Sequence, residues 1–204
     1  RTSGGGIKHL SSAGRPTPGV EVFVTDEQGK PLPTGQCGEI RIRSRGIIKG
    51  YYNNAETTAA EIADGAWKSG DLGYIDEDGY LYIVDRLKDM IISGGFNVYP
   101  REVEDALSQH PAVASAAVVG VPDPKWGEAV RALVVLRPGM VKPVDAAAQA
   151  LAAELMAFVR EKKGAVYTPK AIDFVAALPV TGLGKLDKKA IRAQFWQGQG
   201  RAVH

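Results

Sequence analysis

Asp85-Arg86-Leu87-Lys88-Asp89-Met90-Ile91-Ile92-Ser93-Gly94-Gly95 is the stretch on which the reading of this chain turns. Four charges in five residues stand directly before an apolar triplet and then two glycines. The charged part resists burial, while the glycines reach backbone conformations closed to other residues. Taken alone the stretch reads as a charged linker. The sequence changes character across it, which places a domain boundary near residues 87–89.

Before the boundary, short apolar runs alternate with turn signals. Residues 19–25 are Val-rich and close at Asp26-Glu27-Gln28-Gly29. Gly38-Glu39-Ile40-Arg41-Ile42-Arg43 alternates with period two, as a strand with one buried face does. Asn54 is a good N-cap for a helix over 55–62. Asp76-Glu77-Asp78-Gly79 separates 72–75 from 80–84 and signals a hairpin.

After the boundary, helical periodicities alternate with Val-rich strands. Pro100 opens a helix bearing Val103, Ala106 and Leu107, which stops at His110-Pro111. Residues 113–121 and 130–136 read as buried strands flanking a turn at Pro122-Asp123-Pro124. Residues 145–163 set Leu151, Leu155, Phe158 and Val159 on one helical face. A strand over 171–177, a last helix over 187–196 and a frayed tail from Gln197 to His204 complete the pattern.

Composition narrows the function classes. With 204 residues and 45% hydrophobic content the chain is globular rather than disordered. Its 25 Lys plus Arg against 23 Asp plus Glu give a net charge of only +2 without a basic stripe, so no nucleic-acid partner is expected. No apolar run approaches the roughly 18 to 20 residues that span a bilayer, and 1–6 hold no signal-peptide core. The default location is therefore the cytoplasm. Cys37 is the single cysteine, which rules out an intrachain disulfide framework and a Cys-rich zinc site. His9, His110 and His204 are far apart in sequence with no ligand spacing, and Asp76, Asp78 and Gly79 lack the other positions of a calcium loop, so no metal site is expected. A nucleophile elbow, a Walker loop and a dinucleotide fingerprint are all missing from the sequence.

Three segments resist a purely structural reading. Trp67-Lys68-Ser69-Gly70-Asp71 reads as a turn ending in a carboxylate, which can accept two hydrogen bonds at once, as a ribose diol requires. Residues 85–95 are the second. Pro179-Val180-Thr181-Gly182-Leu183-Gly184-Lys185 presents one lysine from a turn-rich loop. Each alone fits a solvated surface feature.

Together and in this order they resemble the closing half of the adenylate-forming superfamily, which includes acyl-CoA synthetases, peptide-synthetase adenylation domains and beetle luciferases. Residues 67–71 resemble its aromatic-Arg/Lys-Thr-Gly-Asp motif, 85–104 its hinge and glycine loop, and 179–185 its terminal Pro-x-x-x-x-Gly-Lys motif. Gly38-Glu39-Ile40 through Gly50-Tyr51-Tyr52 also fits, so the resemblance runs from about Gly14 to Trp196. Val118 to Glu128 looks most like medium- to long-chain acyl-CoA synthetases.

The resemblance implies a fold of class α+β: a small β-barrel-like subdomain over 1–87, the last part of the large adenylating domain, and a two-layer α+β lid over 88–204. It implies ATP-dependent conversion of a carboxylic acid, a fatty acid above others, to acyl-AMP, then transfer to CoA. Lys185 would bridge carboxylate and phosphate oxygens, Asp71 would bind the ribose hydroxyls and Arg86 would help hold the nucleotide. Lys88 would be the hinge of a domain alternation that exchanges the Lys185 face for Ser93, Gly94 and Gly95. Those three, with Trp126 and Lys170, would meet CoA. Thr168 stands where the family commonly has Lys or Arg. The phosphate loop, the magnesium ligands and the acyl pocket belong to the part of the family that precedes Arg1. Mg2+ is therefore expected with ligands outside this chain, and the chain reads as a fragment inactive alone. Homo-oligomers and a lysine acetyltransferase acting on Lys185 are compatible with the resemblance. Two other readings stand beside it: an adenylating enzyme that loads a carrier protein, and a non-catalytic module binding nucleotide or CoA.

Overall fold

In the computed structural model, which describes residues 9–140 and 142–197, the chain divides into two compact units, Arg1–Leu87 and Lys88–His204. Each is built on its own five-stranded sheet.

The first unit contains β1 (Val20–Thr25), β2 (Gly38–Ser44), α1 (Ala55–Glu61), β3 (Ile62–Ala63), β4 (Ala66–Ile75) and β5 (Leu81–Arg86). The alternation of residues 38–43 becomes β2, whose register against β1 sets buried Ile40 opposite buried Val24. Asn54 caps α1 by accepting the Thr57 N–H at 3.0 Å. The ten-residue β4 organises the sheet, lying antiparallel to β2 on one edge and to β3 and β5 on the other. Its register shifts beside Gly73, where an added Cβ would collide with the Tyr82 carbonyl oxygen and the Ile40 side chain. Such irregularities bend strands, and the sheet curls into a half-barrel. The segment 67–71, read from sequence as a turn, lies inside β4. Gly70 takes φ +69° there, and the Ser69 hydroxyl bonds the Ile40 carbonyl oxygen at 2.8 Å, so a local kink keeps the strand continuous.

The second unit opens with a 3-10 turn, Leu87–Asp89, followed by β6 (Ile91–Ser93), β7 (Phe96–Val98), α2 (Pro100–Ser108), β8 (Val113–Asp123), β9 (Gly127–Leu136), α3 (Asp145–Lys163), β10 (Ala171–Phe174) and α4 (Lys188–Ala193). Residues 85–95 thus span the division between the units and carry secondary structure on both sides of it. They finish β5, turn once and enter a tight hairpin whose two central residues, Gly94 and Gly95, have φ of +59° and +82°, the pair of positive values that a type I′ turn demands. β8 and β9 form one long antiparallel hairpin, longer than the sequence pattern indicated because pairing continues to Asp123↔Gly127, which moves the turn to residues 124–126. β10 joins β9 in parallel, but only over four residues, before Leu178-Pro179 leads the chain away.

The run Ala117-Val118-Val119 does not alternate because both faces of its sheet are covered. Val118, Val130, Ala132 and Val134 face α2 and α3, meeting Val103, Leu107, Leu155 and Val159. Ala117, Val119, Val121, Ala129 and Leu133 face Ile191 of the short α4, with Leu186 and Phe195 packed beside it. The helix expected over 187–196 is assigned only to Lys188–Ala193, after which the Gln194 and Phe195 N–H groups bond three residues back; Trp196 donates its indole N–H to the Gly120 carbonyl at 2.9 Å. The tail beyond residue 197, with His204, lies outside the described residues. Among the described residues no helix is long and apolar enough to cross a membrane.

Leu155 is fully buried between α3 and the sheet. Leu155→Ala should cost about 2–5 kcal/mol of stability, read as a lower urea midpoint with an unchanged m-value.

Candidate functional site

The residues singled out in the sequence fall into local groups, each within one unit. In the first unit, Asp71 and Arg86 are direct cross-strand partners on β4 and β5. Arg86 Nε lies 3.4 Å from Asp71 Oδ1, an ion-pair contact longer than a good hydrogen bond. The guanidinium is 61% exposed and the carboxylate 30%, so both remain open to a ligand. The Asp71 N–H donates to the Ser69 hydroxyl at 3.1 Å, which fixes the backbone from which the carboxylate projects.

In the second unit the structure brings Ser93, Gly94, Gly95, Trp126 and Lys170 to one corner. Ser93 pairs with Gly127, the first residue of β9, and the Gly94 N–H donates to the Trp126 carbonyl at 2.9 Å. The Trp126 ring lies against Gly94 so closely that a Cβ there would sit 2.6 Å from Cε3. The Lys170 backbone N–H bonds the Val130 carbonyl at 2.7 Å, and its ammonium lies 5.5 Å from the centre of the Trp126 ring. Lys125, which the sequence reading passed over, holds a second ammonium 4.8 Å from that ring. The signal was adjacent: the Asp123 carboxylate accepts the N–H groups of both Lys125 and Trp126, a turn that presents the two side chains together. Two cations over one indole are held by its quadrupole, each worth about 0.5–1 kcal/mol at an exposed site. Thr168 instead bonds the Gly164 carbonyl at the end of α3.

Glu128, also missed, is buried and accepts the Ile92 N–H at 3.1 Å, anchoring the strand that leads into the glycine turn. Lys88 lies in the 3-10 turn that opens the unit. Lys185 sits at the end of a small turn in which Thr181 N–H bonds the Lys185 carbonyl at 2.7 Å and Gly184 N–H bonds the Thr181 carbonyl at 2.8 Å. Its side chain is exposed.

Sequence distance hid one cluster. His9 stacks on Tyr80 with centroids 3.8 Å apart, and its Nδ1 lies 2.9 Å from the hydroxyl of Tyr82, 73 residues away in the chain. The same Nδ1 is 3.4 Å from Asp76 Oδ2, and Nε2 is 3.5 Å from Asp78 Oδ2. The ring thus meets the two carboxylates with opposite nitrogens and clamps the β4–β5 turn. This group does not fit Mg2+, which takes an octahedral shell of oxygens. Partial burial works to raise the Asp76 carboxyl. Hydrogen bonds from the Tyr80 N–H, the Tyr82 hydroxyl and the Asp78 N–H, together with the His9 charge, outweigh it and hold the group below its ordinary value of 3.8.

A family model for AMP-binding enzymes matches residues 3–52, and the model for the AMP-binding enzyme C-terminal domain matches residues 102–185. The chain is 52% identical over 196 residues to the medium/long-chain-fatty-acid–CoA ligase of Mycobacterium tuberculosis, covering 96% of this chain and 34% of that protein. It is 38% identical over 195 residues to a fatty acid–[acyl-carrier-protein] ligase of Streptomyces coeruleorubidus, covering 96% and 36%. Among solved structures, the amide bond synthetase of Marinactinospora thermotolerans superposes with a TM-score of 0.80 at 43% identity, over 92% of this chain and 37% of that one. The chain belongs to the adenylate-forming, AMP-binding enzymes and carries their C-terminal domain. It spans about a third of the length of the curated relatives it matches.

Two measurements test these groups. Gly94→Ala and Gly95→Ala both place a Cβ on a positive-φ backbone, strain of about 1–3 kcal/mol, but only Gly94 meets the indole; Gly95 has nothing within 4 Å. Gly94→Ala should therefore lower the urea midpoint more than Gly95→Ala, and equal losses would remove the Trp126 contact from the account. For Asp76, a depressed carboxyl stabilises the fold above the unfolded-state value and loses that contribution as pH falls through the folded-state value. Asp76→Asn should be less stable than the parent chain at pH 7, with the gap closing below pH 3.8.

Proposed function

We propose that the protein carrying this chain activates a carboxylic acid, a fatty acid above others, with ATP and passes the acyl group to CoA. The observation that carries this reading is the placement of Lys185: an exposed ammonium at the end of a hydrogen-bonded turn, with no ion-pair partner among the described residues. In the first step a carboxylate oxygen attacks the α-phosphorus of ATP, forming the acyl-phosphate bond while the bond to pyrophosphate breaks. Negative charge grows on oxygens that Lys185 would contact, and removing a donor of this kind costs about a hundred- to a thousand-fold in rate. Asp71, with Arg86 beside it, would hold the ribose hydroxyls and so position the nucleotide rather than react with it.

In the second step the CoA thiol attacks the acyl carbon, its proton is lost and AMP leaves. Lys88 would be the pivot that replaces the Lys185 face by the Ser93-Gly94-Gly95 turn. The type I′ geometry offers backbone without side chains there, along which a pantetheine arm fits. Trp126 would pack against the arm, while Lys170 and Lys125 would meet CoA phosphates as point charges. This cationic corner favours CoA as acceptor. The likeness to a carrier-protein ligase supports a second reading, in which the thiol is borne by a carrier protein.

In the full-length gene product, Lys185→Ala should reduce acyl-AMP formation by at least about a hundredfold and leave thioester formation from supplied acyl-AMP intact. Equal loss in both half-reactions would assign Lys185 a different role. Supplying CoA and a carrier protein in competition separates the two acceptor readings.

A further inference from the structure

The short helix α4 is held to its unit by two charge pairs on either side of fully buried Ile191. Lys188 Nζ lies 2.8 Å from Glu104 Oε1 on α2, with side chains 12% and 17% exposed. Glu104 also accepts the Val118 N–H at 2.7 Å, so that carboxylate is fixed to the sheet as well. The second pair reaches farther. Arg192 Nη1 lies 2.6 Å from Asp89 Oδ1, with the two side chains only 15% and 13% exposed and 103 residues between them in the chain. Asp89 closes the 3-10 turn that begins the second unit and follows Lys88 directly.

The other end of α4 is joined to Lys185. Asp187 caps the helix by accepting the Ala190 N–H at 2.9 Å, and its own N–H bonds the Pro179 carbonyl at 2.9 Å, across the base of the Lys185 turn. Val180 and Leu186 form a β-bridge just outside Thr181 and Lys185. A continuous path of short bonds therefore runs from Asp89 through Arg192 and α4 to the backbone of Lys185. A charge-assisted bond at this distance is short and strongly directional, and its low exposure spares it the screening that weakens surface pairs.

We propose that Asp89 and Arg192 are positioning residues for Lys185: their ion pair makes the turn after Lys88 and the Lys185 turn one rigid piece. A backbone rotation at Lys88 is then delivered to the lysine ammonium instead of being absorbed within the unit. The role rests on the reading of Lys185 given above; the strut itself does not. Breaking the pair frees the Lys185 turn relative to the start of the unit, and misplacement of a reacting group by about 1 Å can cost on the order of a hundredfold in rate.

Two readouts test it. In this chain, Arg192→Gln should speed amide hydrogen exchange at Thr181, Gly184 and Asp187 by about tenfold, as local opening without global unfolding does, while the β8 and β9 amides keep their protection. Where Arg192→Gln does not fold, Asp89→Asn, which preserves shape, serves in its place. The Asp89→Asn/Arg192→Gln double variant should be no faster than either single, since the two side chains act as one interaction. In the full-length gene product the same variants should slow acyl-AMP formation on the order of ten- to a hundredfold and spare thioester formation from supplied acyl-AMP. Unchanged exchange at the three amides, or equal slowing of both half-reactions, overturns the proposal. An intact rate of acyl-AMP formation in Lys185→Ala would instead sink the functional reading, and the positioning role with it, even where Arg192→Gln still speeds exchange.

Discussion

The second unit depends on β9. This strand has β8 along one edge and both β10 and β6 along the other, and its two faces bury separate clusters. Several candidate residues of that unit are referred to it. Trp126 precedes its first residue, Ser93 pairs with that residue, and Lys170 hydrogen bonds to Val130 within it. The helix next to Lys185 is seated on Leu133 and Ala129 through Ile191. A strand whose backbone is paired on both edges and whose side chains are packed on both faces has little freedom left. That rigidity lets side chains on exposed loops keep fixed relations over a chain separation of nearly the whole unit.

Much of this was legible in the sequence because local chemistry and tertiary demand agreed. Asn54 and the 145–163 stripe each produced the element they signal. The resemblance rested on short motifs whose residues are held by backbone geometry, such as Gly94-Gly95 in the hairpin turn and Gly70 in β4. Reading failed where the deciding partner was remote. Nothing in Asp85 to Gly95 reveals that Ile92 bonds Glu128, so the short strand Ile91–Ser93 could not be read from the stretch alone. The turn at 122–124 was placed early because Pro122 and Pro124 punctuate locally, whereas the ladder carries on to Asp123. His9 looked isolated because its partners lie on a hairpin that only folding brings near.

The relatives differ in the acceptor named for them. They share this C-terminal region at 38% and 52% identity, yet one is named as a CoA ligase and the other as a carrier-protein ligase, and an amide bond synthetase superposes over the region with a TM-score of 0.80. In the proposed function Lys185 and Asp71 would serve the adenylate-forming step, whichever acceptor follows. In that reading the acceptor would meet the glycine turn and the indole flanked by Lys125 and Lys170, so discrimination between thiols would rest on a few side chains at one end of β9.

The arrangement of α4 also has a consequence for synthesis. During translation the β8–β9 hairpin, with α2 and then α3, emerges well before residue 188, so one face of the sheet is complete while the other is not. Ala117, Val119, Val121, Ala129 and Leu133 stay incompletely covered until Ile191 leaves the ribosome. Such transient apolar surface is what holding chaperones bind and what aggregation uses. The nascent chain therefore passes through a vulnerable interval that ends only with α4, and a stop codon a few residues upstream of Ile191 would make that interval permanent.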